Sequence, residues 1–470
     1  MDRNDVVKAA EEYWDKNWPA IKGDIATLVE IPSTEDLDAA GPGEPYGPGP
    51  AKALAAALDI AAGMGFETTN CDGHIGFADL AGDTPTQLGI IGHMDVVPAG
   101  PGWTFPPFEV TEKDGYLIGR GTLDDKGPSV VALHAMKCLG ELPMDRRYTM
   151  RFLFGANEET SMADVVYYHE HYDDPAFIFT PDADFPTCYG EKGGFDGRIT
   201  SAKIDDPVIL EFDGGVVTNA VPGVATALVK AHAANLPAAE RLTITDEGDG
   251  LVRIDAEGVN AHAAWPERGI SAIKLIVDYL LANNLCNEQE RAFLEFDQKL
   301  VSHTDGSGVG IATADEYFGP LTVVGGTIHI EDGRFVQTMD SRWPTSITSD
   351  EIIDIMTKQT DAIGATFENT LLMVPFLVKP DDPEIQALQN AFHEVTGDDH
   401  QPFTIGGGTY AREFKKGASF GVNMPWIPNP DWVGGEHGPD EGVAIDLLRT
   451  SFIIYVLGLY DLQQLDLADE

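Results

Sequence analysis

Acidic and histidine side chains recur in this sequence just after apolar runs. They are His93 and Asp95 in IIGHMDVVPAG, Asp124 in GRGTLDDKGP, Glu158 and Glu159 in FLFGANEETS, Asp182 in FIFTPDADFP, and His437 in GGEHGPDEG. All but the last lie in the first 190 residues, and His437 is close to the C-terminus. If these positions form one site, the chain must return to its first domain after a long excursion, and the middle is an insertion. Two imidazoles and several carboxylates make a mixed nitrogen and oxygen ligand set, which suits zinc and also manganese or cobalt. One ion would not use so many ligands, so the pattern predicts a pair.

With 470 residues the chain is too long for one ordinary core, and two domains are expected. No apolar run approaches the ~18–20 residues of a membrane helix. The N-terminal MDRNDVVKAAEEYWDKNW is charged and lacks a signal-peptide core, so a cytoplasmic location is expected. The 77 acidic residues outnumber the 30 basic ones, for a formal net charge of -47. Nucleic acid and anionic membrane both require a basic footprint, so neither is an expected partner. The plain reading of the excess is a strongly solvated acidic surface; a high-salt or acid-rich host would select the same, and charge alone does not separate the two. Cys71, Cys138, Cys188 and Cys286 are scattered without zinc-finger spacing and read as reduced thiols.

The first ~190 residues read as α/β. Helices are predicted over 6–29 (with a break at Pro19), 51–64, 129–139 and 163–171, and strands over 88–92, 148–154 and 177–180. Strands alternating with helices predict a mostly parallel sheet flanked by helices. His93, Glu158, Glu159 and Asp182 then fall at the carboxyl ends of strands, the edge along which open α/β sheets bind ligands. From about residue 190 the texture becomes α+β. Strands are predicted over 208–212, 241–245, 251–257, 321–330 and 334–340, with a helix over 269–285. Asp332-Gly333 marks a hairpin, and Thr348 with Glu351 forms a capping box. Asp382-Pro383 opens another helix, and 444–459 is apolar at helical spacing. The resulting plan is a discontinuous metal-binding catalytic domain, 1–189 and 376–470, with an inserted α+β lid domain, 190–375.

A metal-bound imidazole usually donates its second N–H to an oxygen, so Asp95 is expected to orient His93. Asp124 follows the tight Gly119-Arg120-Gly121 turn, where a shared carboxylate can be held. Adjacent Glu158 and Glu159 can divide labour, one binding metal and the other serving as general base. His262, Asn219 and Arg342, in the insertion, are further candidates for substrate contact. No Gly-x-Ser-x-Gly elbow or Cys–His pairing supports a covalent nucleophile.

The motifs GHMDVVP, GRGTLDDKGP, NEE and GGEHGPDE resemble the dinuclear-zinc peptidases and amidohydrolases, the family of acetylornithine deacetylase, succinyl-diaminopimelate desuccinylase, aminoacylase and carnosinase. PGWTFPPFEV, TPDADFP, GEKGG and GGGTYAR look most like the peptidase V, or Xaa-His dipeptidase, branch. The resemblance implies two divalent ions, zinc first. One would be held by His93, Asp124 and Asp182, and the other by Asp124, Glu159 and His437, with Asp124 bridging. It implies Asp95 as support for His93, Glu158 as general base, His262 and Asn219 at the oxyanion or substrate, Arg342 at a substrate carboxylate, and Gly407, Gly408 and Thr409 in a substrate loop. The implied activity is hydrolysis of short peptides, by a monomer or a homodimer formed through the lid. GGEHGPDE is closer to the deacylase form of the motif, so an N-acyl amino acid deacylase using the same site is the alternative.

Overall fold

The computed structural model describes residues 1–467 and divides the chain into two compact units. Unit 1 comprises Met1–Tyr189, Leu377–Phe403 and the chain from Gly408 on; unit 2 comprises Gly190–Phe376 and Thr404–Gly407. The segment Thr404–Gly407 therefore clusters with unit 2, although its flanks belong to unit 1.

Unit 1 is built on a mixed sheet that includes, in order, Glu67–Cys71, Ile75–Leu80, Tyr148–Gly155, Thr84–His93, Phe177–Thr180 and Gly417–Ser419. The central strand Thr84–His93 runs parallel to both of its neighbours, and Gly417–Ser419 runs parallel to Phe177–Thr180. The two strands at 67–80 pair antiparallel, so the sheet is mixed and only its centre has the predicted parallel form. Both faces of the centre are covered, which is why its strands read as unbroken apolar runs. Helices Arg3–Val29, Lys126–Glu141, Pro383–Thr396 and Ile445–Leu462 pack together, burying Trp14, Leu133, Phe392, Phe452 and Tyr455.

The first helix does not break at Pro19 and continues from Arg3 to Val29. Proline removes one interior hydrogen bond at a cost of roughly 3 kcal/mol. Here Val6, Ala10, Trp14, Ile21, Ile25, Leu28 and Val29 are buried along the helix, and that packing outweighs the loss.

Unit 2 has its own sheet, ordered Leu242–Gly248, Leu251–Glu257, Val224–Lys230, Ile209–Gly214, Ile328–Glu331, Arg334–Trp343, Gly193–Thr200 and Thr366–Met373. Its core joins inward side chains of those strands, including Phe195, Phe212 and Ile254, to Ile273, Ile276, Phe293, Leu300, Ile352 and Met356 of three helices. The predicted hairpin turns at Asp332 and Gly333, both at positive φ, with Glu331 opposite Arg334. The capping box at Thr348 and Glu351 is formed. The predicted strand 321–330 is instead two pieces, Thr322–Val324 and Ile328–Glu331, parted at Gly325-Gly326. The predicted helix 269–285 is confined to Ala272–Ala282, and a further helix follows at Glu288–Ser302.

No described helix is long and apolar enough to cross a membrane. All four cysteines are free thiols, three of them buried.

Candidate active site

The cluster in unit 1 starts at the end of its central strand. His93 is the last residue of Thr84–His93 and is fully buried. Its backbone N–H donates to Asp125 Oδ2 at 3.2 Å, and Ser129 Oγ donates to the same oxygen at 2.7 Å. A Cβ on Gly92 would lie 1.9 Å from Ser129 Oγ and 2.5 Å from that oxygen, so only glycine allows the strand end this close to the helix start. Lys126 opens the helix and is itself buried, donating from Nζ to the carbonyls of Leu28 at 2.9 Å and Ile31 at 2.8 Å. Burial pushes its ammonium down to about 7.

Asp124 joins the two histidines. Its Oδ1 lies 2.9 Å from His93 Nε2, and its Oδ2 lies 3.0 Å from His437 Nε2. His437 Nε2 is also 3.0 Å from Glu159 Oε2, and Asp182 Oδ2 is 3.7 Å from His93 Nε2. Residues more than 300 positions apart in sequence are thus brought together, with His93 at the buried end and His437 on the exposed rim. Two overlapping groups, His93 with Asp124 and Glu159, and His93 with Glu158 and Asp182, each offer ligand atoms within 4.8 Å of one another and could hold a metal ion.

Asp95 does more than orient His93. The ring Nδ1 is 3.0 Å from the main-chain carbonyl of Asp95, whereas the carboxylate is 3.6 Å away. That carboxylate receives the N–H of Glu158 on one oxygen at 3.2 Å and the N–H of Glu159 on the other at 3.1 Å. It therefore fixes the backbone of the glutamate pair, a role that the His-x-Asp spacing alone does not reveal.

The electrostatics follow from five carboxylates gathered around two imidazoles. Burial alone would lower the His93 pKa, but the bond to Asp124 and the nearby Asp95 carboxylate reverse this and hold it well above the usual range. The bonds to Asp124 and then Glu159 push His437 up to about 11. Burial, reinforced by neighbouring acids, lifts Glu158 and Asp182 well above ordinary carboxyls. Asp124 goes the other way: its bonds to His437 and His93 overcome burial and lower it. A cluster that draws in protons in this way favours positive charge, and Glu159 Oε1 is buried with no hydrogen-bond partner. The donor set fits a pair of divalent cations.

Other candidates lie in unit 2. The short strand Ala220–Val221 pairs with Ala261–His262, and the Ala263 N–H donates to the Asn219 carbonyl at 2.9 Å, so Asn219 and His262 are neighbours on one ribbon. Arg342 is held bidentately by Asp340, at 3.0 Å from Nε and 2.7 Å from Nη2, and its Nη1 donates to the Gly406 carbonyl at 3.3 Å. The glycine loop is divided: Gly407 clusters with unit 2, and Gly408 and Thr409 with unit 1. The Thr409 hydroxyl is engaged locally, 2.9 Å from Ser419 Oγ and accepting from the Ala411 N–H at 3.1 Å.

Sequence reasoning missed Glu441 and Arg120, whose carboxylate and guanidinium are buried together as an ion pair. The available signal was a glutamate four residues after His437 and an arginine inside the GRG turn.

Histidine and carboxylate side chains gathered beyond the ends of parallel strands, able to hold metal ions, are the arrangement expected of a metal-dependent α/β hydrolase. Comparison with known proteins gives the family. Residues 89–459 match Peptidase family M20/M25/M40, and the chain belongs to that family. The Beta-Ala-Xaa dipeptidase of Lactobacillus delbrueckii subsp. lactis is 32% identical over 465 residues, covering 94% of this chain and 96% of that protein. The fold is shared with human carnosine dipeptidase 1, at a TM-score of 0.58 and 15% identity over 98% of this chain and 99% of that one. It is shared too with aminoacylhistidine dipeptidase of Vibrio alginolyticus, at a TM-score of 0.58 and 12% identity over 94% and 96% of the two chains.

Proposed function

We propose that the protein is a metal-dependent dipeptidase with two divalent cations, zinc first, or manganese or cobalt. The observation that carries the reading is the sharing of Asp124, one oxygen toward His93 and the other toward His437. This is the disposition a carboxylate needs to bridge two ions. His93, Asp124 and Asp182 would hold one cation, and Asp124, Glu159 and His437 the other. When bound, such ions polarise a scissile carbonyl and acidify water. Residues 1–189 and 376–470 form the catalytic domain in this reading, and residues 190–375 form the inserted lid.

The remaining steps belong to the protein's own side chains. Glu158 takes the proton of the attacking water and returns it to the departing amine nitrogen. Its buried setting raises its affinity for that proton. Asp95 keeps Glu158 and Glu159 in register through their backbone N–H groups. His262 donates a hydrogen bond to the tetrahedral oxyanion, with Asn219 beside it. Arg342 meets the C-terminal carboxylate of the peptide, and the loop Gly407, Gly408 and Thr409 meets its backbone. The dipeptidase names of relatives at this level of identity support a short-peptide substrate.

The test is a panel of dipeptides and N-acyl amino acids offered to enzyme stripped with EDTA and reloaded with zinc, manganese or cobalt. Dipeptides should be hydrolysed preferentially, and only after reloading. Preference for N-acyl amino acids would replace the reading with a deacylase. Glu158→Ala should lose turnover by about 10²–10⁴-fold with its metal content kept.

A further inference from the structure

A residue with no role in the chemistry above makes most of the bonds that fasten the loops carrying Asp124 and His437. Glu441 is fully buried. Its Oε1 accepts three backbone N–H groups, from Gly121 at 2.9 Å, Leu123 at 3.1 Å and Asp124 at 3.1 Å. Its Oε2 pairs with Arg120 Nη1, and Arg120 Nη2 reaches the Gly438 carbonyl at 3.3 Å. The main-chain carbonyl of Glu441 accepts the Gly119 N–H at 2.9 Å and the Thr122 hydroxyl at 3.3 Å. Just beyond it, Gly442–Ala444 pairs with Tyr116–Ile118.

Each of these bonds crosses between the segment at 116–124 and the segment at 434–444. Three N–H groups aimed at one oxygen, with the Thr122 N–H closing on the Gly119 carbonyl at 3.1 Å, fix the backbone of residues 121–124 as a unit, and charged acceptors form the stronger bonds. Asp124 is the last residue of that unit. His437 stands four residues before Glu441, in the same loop, and the strand Gly442–Ala444 follows Glu441. Gly119 and Gly121 both have positive φ, so the loop takes a path that glycine favours and that the carboxylate stabilises.

We propose that Glu441, braced by Arg120, is a positioning residue that sets Asp124 against His93 and His437, so that its two oxygens serve two cations. The inference deepens the dinuclear reading and rests on it. Glu441 contacts neither cation nor substrate in this reading and acts only through the loop.

The test compares wild type with Glu441→Gln and Glu441→Ala. Zinc affinity is measured by chelator competition, and hydrogen–deuterium exchange follows the amides of Gly121, Leu123 and Asp124. Glu441→Ala should weaken zinc binding by about 10–100-fold, lower kcat more than it changes KM, and speed exchange at the three amides by tenfold or more. Amides of the central strand, such as Ile90, should be unchanged. Glu441→Gln keeps an oxygen for the three N–H groups and should recover part of both losses. Unchanged zinc affinity in both variants, or exchange that rises equally at Ile90, would overturn the proposal. Should Glu441→Ala fail to fold, Glu441→Gln and an Arg120→Gln variant carry the same comparison. Should wild type bind no zinc, manganese or cobalt, the dinuclear reading fails, and with it the cation role of Glu441. Exchange at the three amides still decides whether the latch holds the loop.

Discussion

The backbone N–H of Ala264 donates to Nδ1 of His262 at 3.1 Å, and that bond decides which ring nitrogen bears the proton. With Nδ1 accepting, the neutral ring carries its hydrogen on Nε2. Burial, and then the positive charge of Arg342, lowers the His262 pKa below 6.5, so the ring is neutral at pH 7. A neutral donor in fixed orientation suits a developing oxyanion, because no reorganisation is needed as charge appears. Nitrogen NMR of the histidine rings should show His262 as the Nε2–H tautomer at pH 7. His262→Ala should lower kcat by about 10²–10³-fold with little change in KM. A ring found cationic at pH 7, or protonated only on Nδ1, would remove it from this role.

Arg342 has a second carboxyl behind its own partner. Asp196 stands directly opposite Asp340 in the pairing of Gly193–Thr200 with Arg334–Trp343. Burial, and then the charge of Asp340, pushes Asp196 up to about 6. Below that pH Asp196 is neutral and Asp340 alone balances Arg342. Above it a further negative charge sits beside the guanidinium and competes with a substrate carboxylate. KM for a free dipeptide should therefore rise by a few fold between pH 5 and pH 7.5, and KM for its C-terminal amide should not. Asp196→Asn should flatten the difference. Arg342→Ala should raise KM for the free dipeptide by about 10–100-fold, the worth of a charged hydrogen bond. Equal effects on acid and amide would show that Arg342 reads something else.

What the sequence revealed and what it concealed divide along physical lines. His93, Glu158 and Asp182 were legible because a strand buried on both faces is an unbroken apolar run, so a polar residue at its end stands out. The hairpin at Asp332-Gly333 and the cap at Thr348 and Glu351 were legible because those residues do local work. The Glu288–Ser302 helix was overlooked, although Asn287 and Glu290 form a capping box, because its charges mask the apolar stripe Phe293, Leu294, Leu300 and Val301. Glu441 and Arg120 were hidden for a different reason. Their partners are backbone atoms of a distant loop, and nothing in a one-dimensional pattern distinguishes a buried ion pair from two solvated charges. The backbone task of Asp95 was hidden in the same way.

Asp297 is a buried acid with no hydrogen-bond partner at either oxygen, set in the apolar face of the Glu288–Ser302 helix near Phe293, Phe296 and Leu300. Burial pushes its carboxyl up to about 8. Between the unfolded value near 3.8 and the folded value near 8, the native state holds a proton that the unfolded chain has released, so stability falls as pH rises through that window. Below it both states are protonated and the effect vanishes. Asp297→Asn removes the ionisable group at nearly constant volume. It should stabilise unit 2 at pH 8.5 by on the order of 1–3 kcal/mol, and by less at pH 5.5. Urea unfolding at the two pH values measures this, and a gap that narrows with rising pH would contradict it.

The charge of the whole chain makes a prediction of its own. With 77 acids to 30 bases, most carboxylates have no cationic partner, and the formal excess of -47 repels itself most strongly in the compact state. Simple salt screens that repulsion: the Debye length falls from about 10 Å at 0.1 M to about 3 Å at 1 M. The exposed ion pairs, such as Arg198–Glu331 and Arg147–Asp466, are weakened by the same screening, but each contributes only about 0–1 kcal/mol. Repulsion therefore dominates, and raising KCl from 0.1 to 1 M should increase the midpoint of thermal unfolding by about 4 °C or more, the shift that one to two kcal/mol produces in a domain of this size. Potassium chloride is chosen because it screens without the strong surface exclusion of sulfate. A midpoint that stays level or drops would mean that the acidic surface is already neutralised, by bound cations or by local pairing, and calorimetry across the same salt series would register that directly.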